Sequence, residues 1–565
     1  VSQTIQGRLW NRLDTDPEGR ALAFYRTDGS YHWASFSQVV SEAAGTAYRL
    51  AELGIGPGAV VVIVLPSGEP AARMLLATLL LGGLPLLMAP PSLFGPNSDL
   101  TRTLHNTVRK AAARLVVAPV RMESRARDLR TGHPRTRFVF DDSGLKENAQ
   151  STMPRHIPDD ADRLAAMQLT SGTTGLPRIC TWRQPAVTAA VDGMVTAMRL
   201  TPDDVFLNWT PLYHDMGLVN NYLTCMLTGI PLVMMSPQDF VKTPALWLQA
   251  LSSTGATTTW SPNFGFSLAA TRAKEEELEG VQLEHVRGFW NAAEKIHLET
   301  MLAFQKRFAP YGLSPDALKT NYGCAENIGG ATFTEPGRPF TSEFVDGRLL
   351  NRRRLARPAS PDAPEAVPVV GTGKPHPGIS ISILSSKGRV LSDGQVGEIG
   401  LHTVSQMDGY LKDTAANRRA LRDGLLRTGD LGYLRDGELF WVGRTRERIN
   451  VRGRKFDPSD FEQVLFGIKG LRQGCFAAFG VDDERSGTER LVLVSEVAKA
   501  FDRAVAEVVA EIRQACLLNH GIGVEALLVP YGTLTKTSSG KRRHRHWHHV
   551  YESGELQALV LPSNP

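Results

Sequence analysis

Leu169-Thr170-Ser171-Gly172-Thr173-Thr174-Gly175-Leu176-Pro177-Arg178 is the stretch on which the reading of this chain turns. It packs hydroxyls and glycines between an apolar run, Leu164 to Leu169, and a basic residue. Glycines let backbone N–H groups come close to an anion, and Ser/Thr hydroxyls add donors. Arg178 adds a fixed positive charge. That chemistry suits a polyphosphate. The spacing is not G-x-x-x-x-G-K-[ST], which excludes a Walker-type loop. Standing alone, the same residues would make a polar surface turn; the rest of the chain decides between the two.

The chain has 565 residues, more than one core accommodates, so several subdomains are expected. It is 42% hydrophobic and 21% charged, ordinary for a globular protein. The formal net charge of +5 is small for this length and gives no argument for nucleic acid. The cysteines Cys180, Cys225, Cys324, Cys475 and Cys516 are scattered, odd in number and free of any C-x-x-C pair. That argues against a disulfide framework or structural zinc and fits a reducing, cytoplasmic setting. Val1 to Leu9 lacks a basic segment followed by an apolar core, so no signal peptide is expected. The most apolar run, Met74 to Pro90, is interrupted by Gly82, Gly83 and Pro85. It reads as a buried helix feeding a buried strand, not as a membrane span.

Strand-length apolar runs alternate with amphipathic helical segments. Val60 to Leu65 reads as a strand and Pro70 to Leu81 as a helix. Leu115 to Pro119, Arg137 to Phe140, Val205 to Trp209, Pro231 to Met235, Thr257 to Trp260 and Val286 to Trp290 read as further strands. This alternation predicts an α/β fold of helix-covered parallel sheets, with the chemistry in loops beyond the carboxyl ends of strands. Phe344 to Pro377, rich in Arg and Pro, breaks the pattern and reads as an insertion or long connection. After the charged, glycine-bearing stretch Gly443 to Arg454 the order becomes strand, helix, strand, strand, helix, strand. That is a small α+β domain.

Five further motifs accompany the opening loop. Trp209-Thr210-Pro211-Leu212-Tyr213-His214-Asp215-Met216-Gly217 ends a strand and opens a helix, so His214 and Asp215 can face a cleft. In Trp290-Asn291-Ala292-Ala293-Glu294, small residues after a strand let a flat ring lie against the backbone. Asn321-Tyr322-Gly323-Cys324-Ala325-Glu326-Asn327 offers an aromatic face at Tyr322 and a hard oxygen for Mg²⁺ at Glu326. In Leu426-Arg427-Thr428-Gly429-Asp430-Leu431-Gly432, followed by Gly443-Arg444, a loop carboxylate can accept both ribose hydroxyls. Thr535-Lys536-Thr537-Ser538-Ser539-Gly540-Lys541 is a glycine-bearing loop carrying Lys541 near the C-terminus.

In this order, over nearly the whole chain, these motifs resemble the adenylate-forming superfamily of acyl-CoA synthetases, luciferases and peptide-synthetase adenylation domains. The resemblance implies an N-terminal AMP-binding domain, 1–444, of two helix-covered sheets plus a barrel-like subdomain. A small mobile domain, 445–565, would turn on a hinge at Glu447. Within the superfamily the chain is most similar to fatty acyl-AMP ligases. Tyr213 to Leu218, Ser261-Pro262-Asn263-Phe264-Gly265-Phe266 and Trp290 to Glu294 carry the likeness, and residues 344–370 lie where those ligases have an insertion. In that family the insertion goes with failure to use free CoA. The chain departs from the family in Arg178, where Lys is common, and in Lys295, where Pro is usual; the Lys295 charge is expected to be solvated.

The resemblance implies ATP and Mg²⁺ as cofactors, a fatty acid as substrate and an acyl carrier protein as acceptor, with no nucleic acid and no membrane span. Thr170, Ser171, Gly172, Thr173, Thr174, Gly175 and Arg178 would hold the leaving phosphates. Asn291, Ala292, Ala293, Glu294, Asn321, Tyr322, Gly323, Cys324 and Ala325 would surround the adenine, with Asp430 and Arg444 on the ribose. Lys541, His214 and Glu326 would be catalytic, Glu326 also serving the metal; His214, Asp215, Met216, Gly217 and Phe264 would line the acid pocket. Met234, Met235 and Phe266 are candidates for a tunnel or for core. An acyl-CoA synthetase or an amino-acid-activating domain would carry nearly the same motifs. The run Lys541 to His549 reads as one charged helical face; His544 and His548 share a face, with no acidic partner evident.

Overall fold

The computed structural model describes residues 2–91, 98–140, 142–145, 160–170, 177–445, 448–451, 454–483, 488–536 and 542–562. Val60–Ile63 is buried at every position, as an apolar run inside a helix-covered sheet should be. The helix Glu69–Leu80 begins with Pro70 in its first turn and is buried from Ala71 to Leu80. Gly82 then turns the chain at φ +66° into the buried strand Leu84–Leu87. No helix among the described residues is long and apolar enough to cross a membrane.

Among the described residues, two large sheets form the N-terminal part. One runs Gly409–Tyr410, Ile179–Arg183, Leu164–Leu169, Leu84–Leu87, Val60–Ile63, Leu115–Val117, Arg137–Val139. The other runs Lys374–Pro375, Gly329–Phe333, Leu318–Cys324, Gly288–Asn291, Thr258–Ser261, Phe206–Asn208, Leu232–Met235, Arg20–Tyr25, Trp33–Ser35. Their central strands are parallel, as the strand–helix alternation predicts. Three of their four edges are not: Ile179–Arg183 and Gly409–Tyr410 pair antiparallel, as do Gly329–Phe333 and Trp33–Ser35 with their neighbours, while the edge strand Arg137–Val139 pairs parallel with Leu115–Val117. The quoted hydroxyl- and glycine-rich stretch therefore joins two antiparallel strands, closed at its base by Thr170 N–H donating to the Arg178 carbonyl at 2.9 Å. A third, antiparallel sheet of Ile379–Leu384, Gly397–Thr403, Leu421–Arg422, Leu425–Arg435 and Glu438–Arg444 supplies the barrel-like part.

Residues 344–377 are not an unpatterned connection. Ser342–Asp346 and Ala366–Val370 pair antiparallel around the helix Gly347–Arg353. Val345, Leu350 and Val369 bury against Leu431, Tyr433 and Phe440 of the third sheet. Tyr433 Oη donates to Glu343 at 2.6 Å, and Arg435 pairs with the same carboxylate at 2.6 Å. Elements this short bury too few positions to leave a visible period.

Beyond Arg444 the order among the described residues is Ile449–Val451, Arg454–Phe456, helix Pro458–Gln463, Leu471–Asp483, Thr488–Val497, helix Val505–His520, Val524–Val529, helix His544–Glu552 and the 3-10 turn Glu555–Leu559. Leu471–Asp483 and Thr488–Val497 are antiparallel, and Val524–Val529 adds in parallel. Phe461, Leu465, Ile512 and Cys516 belong to this part's own core.

Candidate active site

A cavity of about 1120 Å³ opens at the carboxyl ends of the parallel strands and is closed over by the C-terminal part. Thr170 and Arg178 line it, with Tyr213 to Met216, Phe264, Ala292 to Glu294, Asn321 to Glu326, Asp430 and Arg444. Lys536, Arg542 and His544 reach it from the C-terminal side. Ser171, Gly172, Thr173, Thr174, Gly175, Glu447 and Lys541 lie outside the described residues.

Gln168 ties the entry of the second motif by donating to the Tyr213 carbonyl at 2.6 Å. His214 Nδ1 lies 2.8 Å from Asp215 Oδ1. The Met216 N–H points at both, 3.2 Å from His214 Nδ1 and 3.0 Å from Asp215 Oδ1. Asp215 thus starts the helix, and His214 is fixed at the cleft wall. The following turns, Met216–Leu223, are π-helical, a form that gathers at functional sites. Gly217 does not line the cavity; a Cβ there would sit 2.3 Å from the Pro211 carbonyl oxygen, so glycine is what lets the helix start this close to the loop.

Tyr322 and Asp430 form one unit. Tyr322 Oη donates to Asp430 Oδ2 at 2.9 Å, and Arg444 Nε donates to Asp430 Oδ1 at 3.1 Å. Burial, reinforced by the Asp430 charge, holds the Tyr322 hydroxyl well above its ordinary pKa, so it stays a donor. Across the cleft, Tyr410 Oη donates to Glu326 Oε1 at 2.6 Å. Burial and the Glu326 charge likewise keep Tyr410 protonated. Arg178 lies over the Tyr410 ring at 5.3 Å and pairs with Asp413 at 3.3 Å. Its charge is thereby held beside the cleft, next in sequence to the hydroxyl-rich stretch. Burial raises the Cys324 thiol well above its ordinary pKa, with Glu326 adding to the effect; it is a packing group rather than a nucleophile.

The strand-end motif divides. Ala292, Ala293 and Glu294 line the cavity, but Asn291 is fully buried behind it, donating to Asn263 Oδ1 at 3.1 Å and to Met301 Sδ at 3.2 Å. Glu294 accepts from the Phe264 N–H at 2.7 Å, joining the two strand-end motifs. Ala293 adopts φ +73°, a left-handed conformation that favours glycine. Lys295 is not solvated as expected: its Nζ contacts Asp460 of the C-terminal part. Met234, Met235 and Phe266 are core, whereas Phe264 faces the cleft.

Several cleft residues escape the sequence reading. Lys536 Nζ stands 5.9 Å from the Phe264 ring centre, its pKa lowered by burial. It sits inside a quoted motif whose terminal lysine drew the attention. His297 is pushed down to about 3 by burial, with the Lys295 and Arg542 charges adding to it. Glu462, fully buried, accepts from His544 Nε2 at 2.7 Å and pairs with Arg542 at 3.0 Å. That is the acidic partner missing from the histidine-rich run, invisible because it lies 82 residues away.

The family profile described as AMP-binding enzyme matches residues 9–411. The long-chain-fatty-acid–AMP ligase FadD26 of Mycobacterium marinum is 30% identical over 96% of both chains. A Mycobacterium tuberculosis protein provisionally named a fatty-acid–CoA ligase, fadD25, is 28% identical over 99% of both. Among solved structures, one from a study of fatty acyl-adenylate ligases of E. coli and L. pneumophila superposes with a TM-score of 0.88, at 23% identity and 98% coverage of each chain.

Proposed function

The chain belongs to the AMP-binding enzyme family and is a fatty acyl-AMP ligase, and we propose that its cleft then passes the acyl group to the phosphopantetheine thiol of an acyl carrier protein. The observation that carries this reading is convergence. Residues from six motifs spread between Thr170 and Lys536 line one cavity.

In the first step a fatty carboxylate oxygen attacks the α-phosphorus of ATP. The bond to the bridging oxygen breaks, pyrophosphate leaves, and acyl-AMP remains. Two anions must meet, so catalysis is chiefly charge neutralisation and positioning. Arg178 and the hydroxyl-rich stretch before it in sequence receive the leaving phosphates. Asp430 uses two of its lone pairs on Tyr322 and Arg444 and offers the others to the ribose hydroxyls. Tyr322 and the small Ala292–Ala293 step bound the adenine. His214 faces the reacting carboxylate, and Lys541 bridges it to the α-phosphate.

Among the described residues no group of three or more His, Cys, Asp or Glu gathers to hold a metal. One carboxylate, Glu326, stands in the cleft with an oxygen fixed by Tyr410. That donor set fits Mg²⁺ brought in on the phosphates, with Glu326 as its protein contact. Bound there, the ion would offset phosphate charge.

In the second step the thiol attacks the acyl carbonyl, AMP leaves and a thioester forms. The carrier reading draws support from residues 344–370. Arg448 donates to Asn351 of this insertion at 3.0 Å, and Arg454 stands 4.0 Å from Glu365. These contacts tie this segment to the C-terminal part, and on this proposal they oppose the turn that would admit free CoA. The CoA-ligase name of one relative keeps an acyl-CoA synthetase as the second reading. The free thiols of all five cysteines suit a reducing, cytoplasmic setting. The test is a mass-spectrometric product assay with ATP, Mg²⁺ and pooled fatty acids. Parallel tubes hold no acceptor, free CoA or a phosphopantetheinylated carrier. Acyl-AMP and acylated carrier without acyl-CoA support the proposal; abundant acyl-CoA overturns it.

A further inference from the structure

The contact between Lys295 and Asp460 joins the wall of the cleft to the C-terminal part. Lys295 follows Glu294 at the end of the strand Gly288–Asn291, and its Nζ meets Asp460 Oδ1. The pair is largely buried, with side-chain exposures of 18% and 27%. Asp460 is not a loose surface carboxylate. Its second oxygen accepts from the Asp457 N–H at 3.2 Å and closes the capping box that starts the helix Pro458–Gln463. Its carbonyl lies 3.0 Å from His520 Nε2. A force on Asp460 is therefore a force on the whole helix.

Two residues further along the same helix stands Glu462, fully buried. It accepts from the Ala478 N–H at 3.0 Å and from His544 Nε2 at 2.7 Å, and pairs with Arg542 at 3.0 Å. Arg542 follows Lys541 directly in the sequence and forms a β-bridge with Lys536. Asp460 and Glu462 thus couple the cleft wall to the two residues that bracket 537–541. The helix is short, and its capping box and buried glutamate make it a stiff link.

We propose that Lys295 is a positioning residue for adenylation: by holding Asp460 it fixes the helix Pro458–Gln463, and with it Arg542 and its β-bridge partner Lys536, at the cleft in the first half-reaction. The inference rests on the adenylate-forming reading of the cleft. Lys295 touches neither substrate in this role. Thioester formation needs no lysine at the α-phosphate, so it does not depend on the pair.

The test uses the full chain and separates the half-reactions. Adenylation is read as pyrophosphate release with fatty acid, ATP and Mg²⁺. Transfer is read as thioester formed from synthetic acyl-AMP and a phosphopantetheinylated carrier protein. Lys295→Met and Asp460→Asn should each slow adenylation by at least about tenfold, the scale on which a misplaced catalytic group acts. Transfer should hold within about threefold. The double variant should be no worse than either single one, because the two residues act as a unit. Lys295→Arg, which keeps the charge, should retain adenylation. Thermal melts establish that each variant is folded. Equal loss in both half-reactions, additive losses, or unchanged adenylation in a folded Asp460→Asn would overturn the inference while leaving the ligase reading intact. A wild-type chain that releases no pyrophosphate with any fatty acid would overturn both.

Discussion

Replacing Asp430 by Ala gives the sharpest test of how the nucleotide is held. A carboxylate offers about four lone-pair sites. Tyr322 takes one on Oδ2 and Arg444 one on Oδ1, leaving about two for the ribose. Asp430 is 6% exposed, so these are sheltered, charge-assisted bonds, each worth about 1.5–3 kcal/mol. Losing both ribose bonds removes about 3–6 kcal/mol, a fall of roughly 10²–10⁴ in kcat/KM for ATP. The substrate supplies the control. 2′-Deoxy-ATP should cost the wild type about 10–100-fold and the Asp430→Ala variant less than about threefold, because the missing hydroxyl no longer has a partner. The assay is pyrophosphate release under varied nucleotide, with circular dichroism to verify folding. A loss below about fivefold for Asp430→Ala, or equal sensitivity to 2′-deoxy-ATP in both proteins, would refute the assignment of Asp430 to the ribose.

Tyr410→Phe should leave Glu326 without its fixed orientation and raise the Mg²⁺ concentration needed for half-maximal adenylation by about 10–100-fold, read by metal titration. Ala293→Gly should retain activity and not lower the melting temperature, since φ +73° costs alanine more than glycine; a loss of several degrees would mean the Ala293 methyl packs in a way that outweighs the strain. Acidification from pH 6.5 towards 3 should destabilise the protein. His297 is neutral when folded, with a pKa of about 3, but takes a proton near pH 6.5 when unfolded, so the unfolded state binds more protons across that window. The slope is at most about 1.4 kcal/mol per pH unit for this one group, and a His297→Asn variant should show a visibly flatter profile in denaturant melts.

The sheets were legible because parallel, helix-covered strands are continuous apolar runs: Val60–Ile63, Leu115–Val117 and Leu232–Met235 announce themselves in one dimension. Short antiparallel edges were not, because a strand such as Gly409–Tyr410 is two residues long and leaves no period. The strands Ser342–Asp346 and Ala366–Val370 and the helix Gly347–Arg353 hid for the same reason. Among cleft residues, those with special chemistry at loop positions were readable: His214, Tyr322, Glu326 and Asp430 all face one cavity. What sequence withholds is pairing across distance. Asn291 sits one position too deep in its strand to be seen as core, and Lys295 was read as a solvated charge because its partner lies 165 residues away. Tyr410 and Glu462 carry no local signal at all; each matters through a partner more than 80 residues off.

The pairing of Gly409–Tyr410 with Ile179–Arg183 also bears on how the chain is made. Thr181 donates from its side chain to the Gly409 carbonyl across 228 positions, and Arg20–Tyr25 finds its parallel partner only at Leu232–Met235. A ribosome therefore delivers the first strand and its antiparallel partner Trp33–Ser35 long before its parallel neighbour exists, and the sheet that includes the early strand Val60–Ile63 cannot finish its edge until residue 410 has emerged. In the interval unpaired edges and apolar faces stand open, the state most exposed to misassembly. Tyr410 holds the Glu326 carboxylate, so that side of the cleft is completed with the same late strand. Translation speed and chaperone cover across the 409–410 segment should then govern how much of the synthesised chain reaches an active form.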